Sequence, residues 1–146
     1  MEKRILLVDD DVQLNKIHEK ILPSSGLATE VHTALNGREA LDYLRARIEK
    51  GYPLPNIIIV DLEMPVMNGF EFIDAFNAMN TPGKSNIEVI VFTSSINPSD
   101  RSKALAKGVR HYLNKPYLIR ALHDVFMQLK AERRGPYAHT ATFSLP

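Results

Sequence analysis

No cysteine occurs in the chain, so disulfides, thiolate zinc sites and thiol nucleophiles are excluded. Long apolar runs are missing too, and none of those present reaches the length needed to span a bilayer. Met1-Glu2-Lys3-Arg4 leads straight into a strand-like run, without the apolar core and small-residue cleavage site of a secretory signal. A charge excess of either sign is also lacking. With 18 basic and 17 acidic residues, the formal charge of +1 argues against nonspecific nucleic-acid binding. These absences point to a cytoplasmic protein with no membrane segment. The 146 residues suffice for one domain with a proper core and leave no room for a second folded output domain.

Short apolar runs alternate with segments of helical period, the pattern of a parallel sheet covered by helices. The expected strands are Arg4 to Val8, Thr29 to Thr33, Asn56 to Val60, Glu88 to Phe92 and Val109 to Leu113. The third and fourth are continuously apolar, as central strands buried on both faces should be. Four helices are marked by apolar residues three and four apart: Leu14, Ile17 and Ile21; Leu41, Leu44 and Ile48; Ile73, Phe76 and Met79; Leu118, Leu122, Val125 and Leu129. Ser99 to Lys107 has little beyond Ala104, Leu105 and Ala106 to bury and predicts a loosely held helix. Asn36-Gly37-Arg38-Glu39 and Asn68-Gly69-Phe70-Glu71 resemble capping boxes, and Asn97-Pro98 suits a cap followed by a first-turn proline. Gly51 to Pro55 and Asn80 to Asn86 are longer loops that precede strands, and are expected on the surface away from any site. The domain is expected over 1–134, with 135–146 a frayed tail. Docking of its Tyr137 and Phe143 on a partner is the alternative.

Polar residues follow four of the apolar runs: Asp9-Asp10-Asp11, Asp61, Thr93-Ser94 and Lys115-Pro116. A parallel sheet brings such run ends to one edge, where open sheets collect their ligands. Carboxylates, a hydroxyl and an ammonium would meet there. Asp9, Asp10 and Asp61 are a suitable oxygen set for a hard divalent cation. Without one, they would repel each other and raise at least one pKa. A carboxylate is also a nucleophile toward phosphorus, and Asp61, alone on a central strand with one face open to solvent, is the better placed. Lys115 and Thr93 suit the neutralisation of phosphoryl oxygens. Each piece alone has a plainer explanation: Asp9-Asp10-Asp11 as a strand end and helix cap, Lys115 as a loop lysine before a proline in either peptide isomer. Their occurrence together, in order, is harder to dismiss.

Strand-Asp-Asp, strand-Asp-x-x-Met-Pro-x-Met-x-Gly, strand-Thr-Ser and strand-x-Lys-Pro together resemble the CheY-like receiver domain of bacterial two-component response regulators, over Lys3 to about Lys130. The resemblance implies a doubly wound α/β fold, flavodoxin-like (βα)5, with a five-stranded parallel sheet in the order 2-1-3-4-5, a strand order for which a member of this family is a standard example. It implies phosphorylation of Asp61 by a histidine kinase or a histidine phosphotransfer protein. Mg2+ would be held by Asp9, Asp10, Asp61 and the backbone carbonyl of Glu63, while Thr93 and Lys115 would touch the phosphoryl oxygens. Tyr112 falls at the switch aromatic, whose ring turns inward as Thr93 moves toward the phosphoryl group. By itself Tyr112 would be a partly buried strand tyrosine. Asn68 replaces a frequent Asp and caps equally well. Glu63 lies close to the path of a hydrolytic water and bears on the autodephosphorylation rate; Ser94 is small enough to leave the site open and Ser95 supplies no acidic or amide group to orient water, and a phosphoryl lifetime longer than seconds is expected.

On this reading the chain is a stand-alone phosphoacceptor that assists its own phosphorylation and dephosphorylation rather than a turnover enzyme. No DNA-binding helix-turn-helix, cyclase-type or phosphodiesterase motif follows, so the output would pass to a separate effector protein. The expected contact face is Ser99 to Lys107, Val109 to Leu113 and Tyr117 to Lys130, which also leaves a homodimer open. His18, His32, His111, His123 and His139 show no ligand spacing and are expected in ordinary surface or edge roles. Two other functions compete. Asp9-x-Asp11 superficially resembles the nucleophile and acid of haloacid-dehalogenase-type phosphohydrolases, but a cap domain and a late acidic pair are missing. A phosphorylation-independent binding module would have little reason to keep every site residue.

Overall fold

In this computed structural model, residues 2–133 are described; the expected tail and the end of the expected domain lie outside them. The run Ile57-Ile58-Ile59-Val60 has branched side chains at every position, which favours extended backbone and suits a strand covered on both faces. It forms β3 (Ile57–Val60), and all four residues are buried. Around it lie β1 (Arg4–Val8), β2 (Glu30–Ala34), β4 (Glu88–Thr93) and β5 (His111–Asn114), all parallel, in the order β2-β1-β3-β4-β5. Crossovers are made by α1 (Val12–Ser24), α2 (Gly37–Lys50), α3 (Gly69–Ala78) and α4 (Pro98–Ala106), and α5 (Leu118–Arg133) closes the described chain.

Alternation along the strands builds two cores. Leu6, Val8, Ile58, Val60 and Val91 meet Leu41 and Leu44 of α2 and Phe72, Ile73 and Phe76 of α3 on one face. Ile5, Leu7, Ile57, Ile59, Ile90 and Phe92 meet Leu22 of α1 and Leu118, Leu122 and Val125 of α5 on the other. Three of the four expected helix stripes are therefore the ones that pack. The stripe of α1 is a correction: Asn15, His18 and Leu22 face inward, while Ile17 is 51% and Ile21 38% exposed. Ile17 and Ile21 instead line a groove of about 780 Å3 between α1 and α5. The helix is turned because Asn15 donates from Nδ2 to the Asp9 carbonyl at 2.8 Å and the His18 ring meets Phe92 edge-on.

Boundaries differ from the expected ones for local reasons. Val109 is not in β5, because its N–H donates to the Ala104 carbonyl and closes α4. Asn68 and Glu71 form a complete capping box, whereas Glu39 reaches the Leu35 N–H instead of that of Asn36, leaving half a box at α2. Asn97 caps α4 with Pro98 in its first turn. Both long loops lie at the edge where strands begin, opposite the polar residues, and the second contains a single 3₁₀ turn, Lys84–Asn86.

Gly69 fixes the approach of α3 to β3. A Cβ there would lie 2.3 Å from the Asp61 carbonyl oxygen and 2.8 Å from Leu62 Cα, both backbone atoms that cannot step aside. Gly69→Ala is expected to cost about 1–3 kcal/mol through overpacking, read as a lower urea midpoint. An unchanged midpoint would show that α3 tolerates displacement.

Candidate functional site

Register explains why the polar residues converge. Val8 pairs with Val60, so the next residues, Asp9 and Asp61, emerge as neighbours, their N–H groups still in the ladder through Ala34 and Val8 carbonyls at 3.0 Å each. Thr93 pairs with Asn114, and the Lys115 N–H donates to the Thr93 carbonyl at 2.9 Å. The four expected clusters thus stand at one sheet edge. Asp9, Asp10 and Asp61 each offer an oxygen, all within 4.8 Å of one another.

Lys115 closes the cluster. Its Nζ lies 2.7 Å from Asp9 Oδ2 and donates to Asp61 Oδ2 at 3.1 Å, with the Phe92 ring centroid 5.9 Å away. The Lys115-Pro116 peptide is cis. Asp61 Oδ1 accepts the Leu62 N–H at 2.7 Å, and Asp9 Oδ1 accepts the Asp11 N–H at 2.9 Å. Asp11 itself caps α1, so the plainer explanation holds for that one residue of the triplet. Asp61 is less open than its strand position suggests: it is buried, with the Lys115 ammonium against it. Thr93 is fully buried, Asp10 and Glu63 are exposed, and Tyr112 is half-buried beside the Arg101 guanidinium.

Electrostatics follow from this packing. Burial pushes the Asp9 carboxyl above its ordinary range, against the Lys115 bond and the Asp11 N–H, and the Asp61 charge adds to the rise. Burial alone would lower the Lys115 ammonium, but its bonds to Asp9 and Asp61 outweigh this and the net shift is upward. His18, under the cluster, is pushed down by burial and then by the Lys115 charge, with Asp11 opposing.

Sequence reasoning misses three neighbours. Asn15 and His18 are hidden from it because polar residues on a helix read as solvent-facing; their spacing with Leu22 is the available signal. His18 is accordingly no surface residue, although His111 does lie at the edge strand, buried, and His139 lies outside the described residues. Ser95 reads in the sequence only as a group unable to orient water, yet it joins β4 to α4. The β3–α3 loop holds a further surprise. Val66 sits at φ 67°, where branched side chains are strained, in a γ-turn closed by Met67 N–H to the Pro65 carbonyl at 2.7 Å.

The profile of the response regulator receiver domain matches residues 5–126. Transcriptional regulatory protein PrrA of Mycobacterium bovis is 33% identical over 141 residues, 95% of this chain and 54% of that protein. The sensor histidine kinase CheAY of Helicobacter pylori is 32% identical over 113 residues, 77% of this chain and 13% of that protein. The chain thus spans about half the length, or less, of these curated relatives. Among solved structures, a two-component response regulator from Cytophaga hutchinsonii superposes with TM-score 0.78 at 30% identity, covering 89% of this chain and 98% of that one. Chemotaxis protein CheY4 of Vibrio cholerae gives 0.70 at 27%, covering 88% and 98%.

Lys115 is the counter-charge that lets two buried carboxylates share one edge. Lys115→Met, without divalent cation, is expected to lose about 2–3 kcal/mol at neutral pH, less than a fully buried pair because the edge is partly wet. Removing the ammonium raises the folded pKa of Asp9 further. An acid raised in this way favours the fold below its unfolded pKa and loses that contribution as pH rises through the folded value. The deficit should therefore shrink on acidification to about pH 4, measured by urea unfolding. An equal deficit at both pH values would show that the carboxylates do not depend on Lys115.

Proposed function

The chain belongs to the response regulator receiver family and is a phosphoacceptor of two-component signalling; from that premise we propose that Asp61 is the residue phosphorylated, in a site completed by Lys115, Thr93 and a divalent cation. The observation that carries this reading is the Lys115 ammonium held between Asp61 and Asp9.

The donor set fits a hard cation: three carboxylates, no nitrogen or sulfur, with oxygens within 4.8 Å. Asp9, Asp10 and Asp61 would hold Mg2+ together with the carbonyl of Glu63, which accepts no backbone N–H among the described residues. When bound, the ion supplies positive charge against the phosphoryl oxygens and the neighbouring carboxylates. Everything else falls to side chains. Asp61 presents a carboxylate oxygen to phosphorus; that bond forms as the P–N bond of a donor phosphohistidine breaks and the imidazole leaves with its electron pair. Lys115 neutralises a phosphoryl oxygen, and the Thr93 hydroxyl donates to another. Tyr112 then repacks, so that α4, β5 and α5 present an altered face to a separate effector or to a second copy of the chain. Phosphoryl donation by a histidine kinase or phosphotransfer protein agrees with a relative named as a sensor histidine kinase. A cytoplasmic setting follows from such a donor; no helix among the described residues is long and apolar enough to cross a membrane. Loss of the phosphoryl group is slow, because the Ser95 side chain offers no carboxylate or amide to orient a hydrolytic water.

Incubation with acetyl phosphate and magnesium should add one phosphoryl mass to the intact protein and none to Asp61→Asn. Label that persists in Asp61→Asn, or none in the native chain, overturns the assignment. Thr93→Ala should still accept phosphoryl while its effector binding stops responding to phosphorylation; a full response would break the proposed coupling.

A further inference from the structure

Ser95, two residues beyond Thr93, ties three elements together. Its N–H donates to Thr93 Oγ1 at 3.3 Å, and its hydroxyl donates to Asp100 Oδ2 at 2.6 Å. The same hydroxyl accepts the Asn97 N–H at 3.3 Å, and its carbonyl accepts Asn114 Nδ2 at 3.0 Å. The end of β4, the first turn of α4 and the end of β5 are therefore joined through one small residue. The bond to Asp100 is the strong member, being short and charge-assisted. Asp100 also lies in the first turn of α4, where the helix favours negative charge.

Beside this hub lies an unsatisfied group. Tyr112 Oη is buried and has no hydrogen-bond partner among the described residues, and Arg101 of α4 stands over its ring at 5.6 Å. Burial raises the phenol pKa and the nearby Ser95 side chain lowers it, yet the two hydroxyls form no bond of good geometry. A buried hydroxyl without a partner is disfavoured, so the arrangement around Ser95 is one the fold holds but does not optimise. Little packing resists its change, because α4 buries only Ala104.

We propose that Ser95 is a positioning residue for phosphoryl acceptance: its bond to Asp100 latches the β4–α4 loop, restrains Thr93 away from Asp61 and leaves Tyr112 unpaired. The proposal rests on Asp61 as acceptor. A phosphoryl oxygen on Asp61 accepts the Thr93 O–H and draws that hydroxyl toward Asp61, away from the Ser95 N–H it accepts, and the latch opposes this movement. Release frees Ser95 from the first turn of α4, and the Tyr112 hydroxyl gains access to a partner. The latch thus sets the resting population, and any group binding the released arrangement better shifts it.

Beryllofluoride with magnesium, a phosphoryl mimic, tests this without a protein donor. Affinity is read by NMR titration of the native chain, Ser95→Ala, Asp100→Ala, the double variant and Ser95→Thr, with thermal midpoints alongside. Each single alanine variant should bind about three- to tenfold tighter at an equal or lower midpoint, the double no tighter than the tighter single, and Ser95→Thr within about twofold of native. A purely structural bond would give lower midpoints with unchanged or weaker binding. That result, or multiplicative gains in the double variant, overturns the latch. If an alanine variant does not fold, Asp100→Asn, which keeps a weaker acceptor, should show intermediate tightening; unchanged or weaker binding there also overturns it. Native protein that binds the mimic no better than Asp61→Asn would instead bring down the acceptor reading, and the latch with it.

Discussion

The site depends on one ammonium between two carboxylates. Asp9 and Asp61 are both buried, and each carries a charge that burial disfavours. Parallel register leaves no choice about their proximity, since Val8 and Val60 are paired immediately before them. Lys115 reaches both from the end of β5, across β4, and makes the arrangement tolerable at neutral pH. It does so incompletely: Asp9 is still raised in spite of its bond to Lys115. One ammonium thus faces two buried carboxylates, with Asp10 adding an exposed third. A fold optimised for stability alone would place an apolar residue at one of these positions. Three carboxylates against one ammonium form an oxygen cluster that could hold a divalent cation.

The rest of the architecture serves to hold that edge still. Two cores, one on each face, clamp β1, β3 and β4, so the backbone from which Asp9, Asp61 and Thr93 emerge is held by close packing on both sides. Gly69 brings α3 against the Asp61 peptide, and the capping box at Asn68 fixes where that helix begins. Between them the chain is forced through the turn at Val66, a conformation unfavourable for a branched side chain. With helix start and strand end both fixed, the loop absorbs the strain at an exposed residue, where no packing is lost.

How far the sequence can be read depends on whether a signal is local. Site membership is legible because four of the five strands end in polar residues that parallel register brings to one edge; the strand order comes from the family resemblance those motifs carry. The stripes of α2, α3 and α5 are legible because their buried faces are apolar. The face of α1 is not, because Asn15 and His18 are buried for reasons that live elsewhere: the Asp9 carbonyl needs a donor, and Phe92 offers a ring to pack against. The shielding of Asp61 is hidden for the same reason, since Lys115 lies far away in the sequence. Val109 reads as part of β5 by its branched side chain, though its N–H is spent closing α4.

Packing is distributed unevenly around the sheet. Phe72, Ile73 and Phe76 anchor α3, and Leu118, Leu122 and Val125 anchor α5, so neither helix can shift without opening a core. By contrast, α4 is held by polar contacts: Lys107 to Asp74 at 2.6 Å, Asn77 to the Lys107 carbonyl at 2.9 Å, and Lys103 over the Phe70 ring at 4.4 Å. Water can replace such contacts at small net cost, whereas it cannot replace a buried Phe. Local opening therefore falls on α4 before its neighbours. Thr93 touches both regimes, lying in a rigid strand while its hydroxyl accepts from the loop that leads into α4. Under the proposed phosphorylation of Asp61, the new charge would act on that hydroxyl next to α4, which buries only Ala104.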